Sequence, residues 1–425
     1  MYKKNIVFDS EVFLKVSVEN YIKSGVFYVT YNIAKKLLEH DNINLFFYCE
    51  RKYKLILEEY LKNLFNTNNI FIINENTSLW LDIDIFYSSF YQIPNFINKN
   101  KLIYKYITIH DLIPIIFKNY YPKEAIESFE DIISSIDKNC YCFSISENTK
   151  TDIIKYVKNI NKDRIYIIYN GNKEWLSPSK ENKIIYKKYN IPSDKKYILS
   201  LSNIEERKNL KRIITTFSMF VKKNNINDLI LVLAGKNWNN FLMDFINTVE
   251  KHNNVYYIGY VDENDLSSLY SNAEWLVYTP EYEGFGLPVI EAMSCGCPVI
   301  TSSNSSLKEI VGNNAITVEW NNDEQHIHAY EKYYYDLKFR NNIIKNGLEH
   351  SKLFNWEHSV NNMLKIIEDN FVYKKHCFYI VKCVNFYYIK IFSIRLSFPV
   401  IFNLETNRKY ISIVIFGIKF TIKKR

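Results

Sequence analysis

Two carboxylates eight positions apart, Glu283 and Glu291, bracket the run Gly284-Phe-Gly-Leu-Pro-Val-Ile290. Trp275 to Thr279 reads as a short buried strand ahead of it, and Pro288 suits the first position of a helix that Gly296 would close. Gly284 and Gly286 would let the backbone approach a ligand closely. A helix start offers unpaired N–H groups and the positive end of its dipole, which is chemistry for a phosphate. One carboxylate precedes that helix and one lies within it. The pair could therefore hold two parts of a phosphate-bearing ligand, such as the sugar and the ribose of a nucleotide sugar. Only 10 of 425 residues are glycine, and five of those fall between Gly235 and Gly296, so the backbone special cases collect around this run. For Gly235 and Gly259 alone, a plain turn explains the residue equally well.

The elements that must position these groups alternate. Strand-like runs at Asn5–Phe8, Asn44–Tyr48, Asn69–Ile73, Ile83–Ser88, Ile103–Ile109, Tyr141–Ser146 and Arg164–Tyr169 are separated by helical segments such as Val29–Glu39. After a polar stretch, Asn172–Lys196, the pattern restarts at Tyr197–Ser202, Leu229–Ala234, Val255–Ile258, Trp275–Thr279, Val299–Ser302 and Ile316–Val318. This predicts an α/β protein of two doubly wound Rossmann-like domains facing across a cleft, with ligands at the carboxyl ends of the strands. The domains are drawn at 1–175 on the acceptor side and 176–352 for the nucleotide sugar. A helix over 353–371 returns to the first domain, and 372–425 form a basic β-rich appendage. A dinucleotide-dependent dehydrogenase is excluded, because Ile6-Val-Phe-Asp-Ser-Glu11 has no glycine where that class needs three.

Composition narrows the class further. A hydrophobic content of 47% is ample for packed cores. Seven cysteines without framework or zinc-finger spacing, no apolar leader and no long apolar run predict a reduced, cytoplasmic setting. The net charge of +8 is uneven: residues 372–425 carry 11 Lys or Arg and one acid, which leaves the rest of the chain slightly acidic. That asymmetry argues against nucleic acid as a partner and for a basic tail with a surface of its own.

The run Tyr278-Thr-Pro-Glu-Tyr-Glu-Gly-Phe-Gly-Leu-Pro-Val-Ile-Glu-Ala-Met-Ser-Cys-Gly-Cys-Pro-Val-Ile-Thr301 resembles the E-x7-E signature of family 4 glycosyltransferases, retaining enzymes of GT-B fold that use nucleotide-sugar donors. Ser202-Asn-Ile-Glu-Glu-Arg-Lys-Asn209, Leu231-Val-Leu-Ala-Gly-Lys-Asn-Trp238, Ile258-Gly-Tyr-Val261, Ile109-His-Asp-Leu-Ile-Pro114, Ile145-Ser-Glu-Asn-Thr149 and Tyr169-Asn-Gly171 support the likeness, in the family's order, over residues 1 to about 370. The resemblance implies that Arg207 and Lys208 contact the donor diphosphate and that Glu291 accepts the ribose hydroxyls. Glu283 holds the donor sugar, with N–H groups near Phe285, Gly286 and Leu287 facing phosphate or sugar. It further implies that His110 projects into the cleft toward donor sugar or acceptor, while Asp111 reads as a local cap. Near the N-terminus the family often has Gly-Gly and a following Arg. Here Lys23-Ser-Gly-Val-Phe-Tyr28 keeps only Gly25 as a diphosphate contact.

The implied activity is a retaining hexosyltransferase that moves a sugar, from GDP-mannose or a UDP-sugar, to a glycan or lipid-linked glycan acceptor in cell-surface polysaccharide assembly. A GT-B nucleotide-sugar epimerase and a catalytically degenerate sugar-nucleotide-binding scaffold are the alternatives. No metal or cofactor is expected: Asp82-Ile-Asp84 looks like a metal-binding D-x-D, yet it falls in an alternating strand run. In the tail, Tyr388–Arg395 and Ser412–Lys419 are similar to each other and read as short strands of a hairpin-like appendage. The appendage reads either as a small packing or dimerisation element or, by its charge, as a tether to the anionic inner membrane face.

Overall fold

The computed structural model describes residues 3–19, 23–179, 183–236 and 254–372, and six strands between 378 and 423. The first domain is a seven-stranded, all-parallel sheet: β1 (Lys4–Asp9), β2 (Ile43–Tyr48), β3 (Ile72–Ile73), β4 (Ile85–Ser88), β5 (Tyr104–Ile109), β6 (Tyr141–Ser144) and β7 (Ile165–Ile167), in spatial order β3-β2-β1-β4-β5-β6-β7. The second repeats the plan with β8 (Lys196–Leu201), β9 (Leu229–Ala234), β10 (Val255–Tyr257), β11 (Leu276–Tyr278), β12 (Val299–Ser302) and β13 (Ile316–Val318), in order β10-β9-β8-β11-β12-β13. Continuous apolar strands such as Leu229-Ile-Leu-Val-Leu-Ala234, buried throughout, are what a parallel sheet covered on both faces requires.

The winding reverses between β1 and β4 in the first sheet and between β8 and β11 in the second. At such a switch point the loops leave the strand ends in opposite directions and open a crevice. Leu199 of β8 pairs with Leu276 of β11, so the loops that follow these two strands start side by side. One carries Arg207 and Lys208, and the other carries Glu283.

The chain crosses between domains after β7. It crosses back through the helix Trp356–Asn370, whose Trp356, Val360, Met363 and Ile367 join the core of the first domain with Phe27, Ile33 and Leu37. Ser359 Oγ donates to the Tyr169 carbonyl at 2.6 Å, which fixes this helix to the crossing segment.

Beyond it lie two three-stranded antiparallel sheets, Phe378–Lys382, Phe386–Ile391 and Ile394–Pro399, then Asn403–Thr406, Tyr410–Ile415 and Ile418–Lys423. This corrects the expectation of one hairpin made from two similar strands. Ile391 pairs with Ile394 and Ile415 with Ile418, so each of the two similar stretches spans the junction of two paired strands. The alternation of residue types marks strands correctly but cannot show where one strand ends and its partner begins.

Candidate active site

A cleft of about 400 Å3 lies between the domains at the carboxyl ends of both sheets. Gly25, His110, Lys208, Glu283, Phe285, Gly286, Leu287 and Glu291 all line it. Arg207 does not; it stands behind Glu283.

Lys208 and Arg207 come from a 3-10 turn, Glu206–Lys208, that follows β8 and ends on Asn209 in a left-handed conformation. The Asn209 amide secures that turn by donating to the carbonyls of Thr279 at 3.0 Å and Trp320 at 2.6 Å. Glu283 Oε1 accepts from Arg207 Nη1 at 2.8 Å, from the Tyr278 hydroxyl at 2.8 Å and from the Lys208 ammonium. Burial by itself would raise the Glu283 carboxyl, but the Lys208 and Arg207 charges outweigh it and hold the group down at about 2. Burial and the neighbouring Arg207 draw Lys208 below the ordinary lysine range, against the pull of Glu283. Two donors are left over: Arg207 Nε and Ser202 Oγ are buried and have no hydrogen-bond partner. Of the two, only Ser202 lines the cleft, where its hydroxyl could donate to an anionic ligand.

Glu291 lies inside the helix Leu287–Ser294, only 6% exposed. Its Oε2 accepts from the Tyr270 hydroxyl at 3.0 Å, and its Oε1 is 3.1 Å from the Lys173 ammonium. Lys173 is a cation the sequence reading passed over. It sits on the segment that crosses between domains, where no local pattern marks it.

His110 directly follows β5 and is buried, with Nε2 2.8 Å from the Ser89 carbonyl. A carbonyl only accepts, so Nε2 carries the proton and Nδ1 is left as an acceptor. Burial lowers the ring to about 4, so it is neutral near pH 7. Asp111 caps the next turn, its Oδ1 accepting from the Ile113 N–H at 2.9 Å.

The glycines of the signature line the cleft and are also required by packing, a demand the sequence does not reveal. A Cβ on Gly284 would lie 2.5 Å from the His110 carbonyl oxygen and 2.8 Å from Asp111 Cβ, both in the other domain. Gly286 has φ +97° and faces the Leu307 side chain, leaving no room for a Cβ. The two domains therefore meet at the signature loop. Ser146 Oγ donates to the Gly284 carbonyl at 2.9 Å, and the Tyr282 hydroxyl accepts from Asn148 Nδ2 at 2.6 Å and donates to Asp152 at 2.5 Å. Tyr120 donates to Glu281 at 2.6 Å, while Glu309 accepts from the N–H groups of Glu147 at 2.8 Å and Asn148 at 3.3 Å, capping a first-domain helix from the second domain.

Asp82 and Asp84 lie at the amino end of β4, away from this crevice, where the Asp84 carboxylate accepts from the Asn5 N–H at 2.9 Å. The five described cysteines are buried and free. Among the described residues, no helix is long and apolar enough to cross a membrane.

Residues 181–350 match the family described as glycosyl transferases group 1. The chain is 28% identical over 272 residues to the O-antigen chain mannosyltransferase B of Escherichia coli, covering 63% of this chain and 71% of that one. It is 30% identical over 216 residues to the O-antigen chain mannosyltransferase RfbU of Salmonella typhimurium, covering 50% and 56%. Among solved structures it superposes on Anabaena Alr3699/HepE, crystallised with UDP and glucose, with a TM-score of 0.62 at 14% identity over 86% of this chain and all of that one. WaaG, a glycosyltransferase of lipopolysaccharide biosynthesis, gives 0.60 at 12% identity over 85% and 99%. Residues 181–350, which carry Arg207, Lys208, Glu283 and Glu291, are a glycosyl transferases group 1 domain, and the chain has the GT-B fold.

Proposed function

We propose that the protein transfers a hexose from a nucleotide-sugar donor, GDP-mannose or a UDP-sugar, to a glycan or lipid-linked glycan acceptor in polysaccharide assembly, with retention at the anomeric carbon. The observation that carries this reading is one cleft wall holding a charged Lys208–Glu283 pair beside the buried carboxylate Glu291. The names of the mannosyltransferase relatives and the UDP bound by the Anabaena protein support it.

In the proposed complex the diphosphate lies against Lys208, the unpaired Ser202 hydroxyl and Gly25 at the start of the helix Gly25–Leu38. Arg207 braces Glu283 from behind. All three bonds to Glu283 converge on Oε1, which leaves Oε2 for hydroxyls of the donor sugar. Glu291 takes the ribose, and His110 Nδ1 accepts from a sugar hydroxyl.

A carboxylate held near pKa 2 by two cations is a weak nucleophile, which favours same-face attack over a covalent glycosyl-enzyme. The bond from the anomeric carbon to the phosphate oxygen breaks, and the bond to the acceptor oxygen forms on the same face. The acceptor proton passes to the leaving phosphate, and the protein contributes position and electrostatics. Lys208 supplies the charge neutralisation that a metal gives in other transferases, so transfer is metal-independent.

The test is a thermal-shift and transfer screen with GDP-, UDP- and ADP-sugars, run with and without EDTA. A GDP- or UDP-sugar should stabilise the protein and support transfer in both conditions. Failure of every donor to bind refutes the donor site; a converted donor without acceptor would make the protein an epimerase, and binding without turnover a scaffold. The basic segment 372–425 is assigned to an anionic membrane face, and its removal should abolish salt-sensitive binding to anionic vesicles while sparing transfer to a soluble acceptor.

A further inference from the structure

Lys173 has no part in the roles assigned above, yet it stands where the cleft, the crossing segment and both domains meet. Its ammonium is 3.1 Å from Glu291 Oε1 and 3.8 Å from Glu263 Oε1, with a side chain only 17% exposed. It also lies 5.2 Å from the ring centre of Tyr28 and 5.7 Å from that of Trp175. Tyr28 belongs to the first-domain helix that begins at Gly25. One ammonium thus touches two carboxylates of the second domain and an aromatic face of the first.

We propose that Lys173 is a positioning residue for nucleoside recognition: it holds the Glu291 carboxylate turned so that its remaining lone pairs accept the two ribose hydroxyls of a nucleoside diphosphate. This rests on the donor-site reading above. An ionised carboxylate offers about four acceptor sites. Lys173 and Tyr270 take one on each oxygen, which prevents the group from rotating and leaves one open site on each. Two hydroxyls on adjacent ribose carbons match two such sites.

Without Lys173, Glu291 would keep only a neutral phenol as donor while remaining buried. Burial disfavours an uncompensated carboxylate, so the group would turn toward the Tyr270 phenol, its one remaining donor. The charge-assisted bonds to ribose are then misaligned or lost. The diphosphate would still find Lys208. The defect is therefore specific to the ribose and not a general loss of donor affinity. Because Lys173 also stacks on Tyr28, the aim of the ribose acceptor is linked to the placement of the helix that carries Gly25.

The experiment is calorimetric binding of UDP, GDP and their 2′,3′-dideoxy forms to the full chain as wild type, Lys173→Met and Lys173→Arg, with melting curves to establish folding. Wild type should prefer the ribo form of the diphosphate it binds by roughly ten- to a hundredfold, the range for losing hydrogen bonds to a charged group. Lys173→Met should bring that preference to within about threefold, while Lys173→Arg restores most of it by supplying a cation again. A structural role alone would weaken ribo and dideoxy forms alike and leave the ratio unchanged. Full preference in folded Lys173→Met, or a wild type that binds diphosphate but ignores the ribose hydroxyls, overturns the inference and leaves the donor site standing. A wild type that binds neither UDP nor GDP overturns the donor-site reading and this inference with it.

Discussion

Gly284→Ala separates the contribution of domain contact from that of the charged groups. The φ of Gly284 lies outside the left-handed region, so alanine carries no backbone penalty there. The obstacle is the other domain: the new methyl would sit 2.5 Å from the His110 carbonyl oxygen and 2.8 Å from Asp111 Cβ. Ordinary contact between carbons needs about 3.5 Å, so the signature loop and the His110 loop must part by roughly 1 Å. That withdrawal stretches the bonds from Ser146 Oγ, now 2.9 Å, and Thr149 Oγ1, now 3.4 Å, to the Gly284 carbonyl. At about 1 kcal/mol each, their loss costs the closed arrangement about 2 kcal/mol. A 1 Å displacement between reacting groups is worth on the order of a hundredfold in rate. Since neither sheet is touched, kcat should fall about 30- to 100-fold with little change in Tm, and small-angle scattering should show a larger radius of gyration. Ser146→Ala, which removes a bond without adding bulk, should cost about tenfold or less. Wild-type kcat in folded Gly284→Ala would refute the claim that this contact belongs to the catalytic arrangement.

Lys208→Ala should lower kcat/KM by about 2–4 kcal/mol, as for loss of one donor to a developing anion, and unchanged transfer kinetics would remove Lys208 from the site. Glu283 titrates at about 2 in the folded protein against an ordinary 4.5, so its stabilisation is complete above 4.5 and is lost as pH falls toward 2. Glu283→Gln should therefore destabilise by about 3 kcal/mol at pH 7, in denaturant titrations, with the difference closing at acid pH. Asp9 shows the opposite sign: burial, then the nearby Glu11, raises it from 3.8 to about 7, so it removes stability as pH rises through that range. Asp9→Asn should stabilise by up to about 4 kcal/mol at pH 8 and by nothing near pH 4; a constant difference across that range would contradict the assignment. His110, lowered to about 4, should put no break near pH 6.5 into the rate profile. A break there that disappears in His110→Gln would show that the ring is charged in the working enzyme.

The thirteen strands of the two sheets were legible because parallel strands buried on both faces read as short, nearly continuous apolar runs, and each fell where such a run stands. The cleft positions of Glu283 and Glu291 were legible because they belong to one contiguous segment, and that of Lys208 because it follows the first strand of the restarted pattern; Arg207, expected at the diphosphate, stands outside the cleft lining against Glu283. The reason for Gly284 was not legible. A glycine that admits a ligand and one that admits another domain look alike in sequence, and only the 2.5 Å approach of His110 reveals the second demand. Lys173, Tyr282 and Glu309 were missed for a related cause. Each acts on a partner far away in sequence, as when Glu309 caps a helix that starts at Glu147. Such a contact depends on the angle between two domains, and that angle is set by the sum of many packing contacts, among them Trp356 seated against Gly171 and the core of the first domain. Local patterning records which face of an element is apolar. It does not record which element of another domain that face will meet. The charged residues that join this cleft's two walls are therefore the part of the site that requires coordinates, while those that line one wall can be read from the sequence.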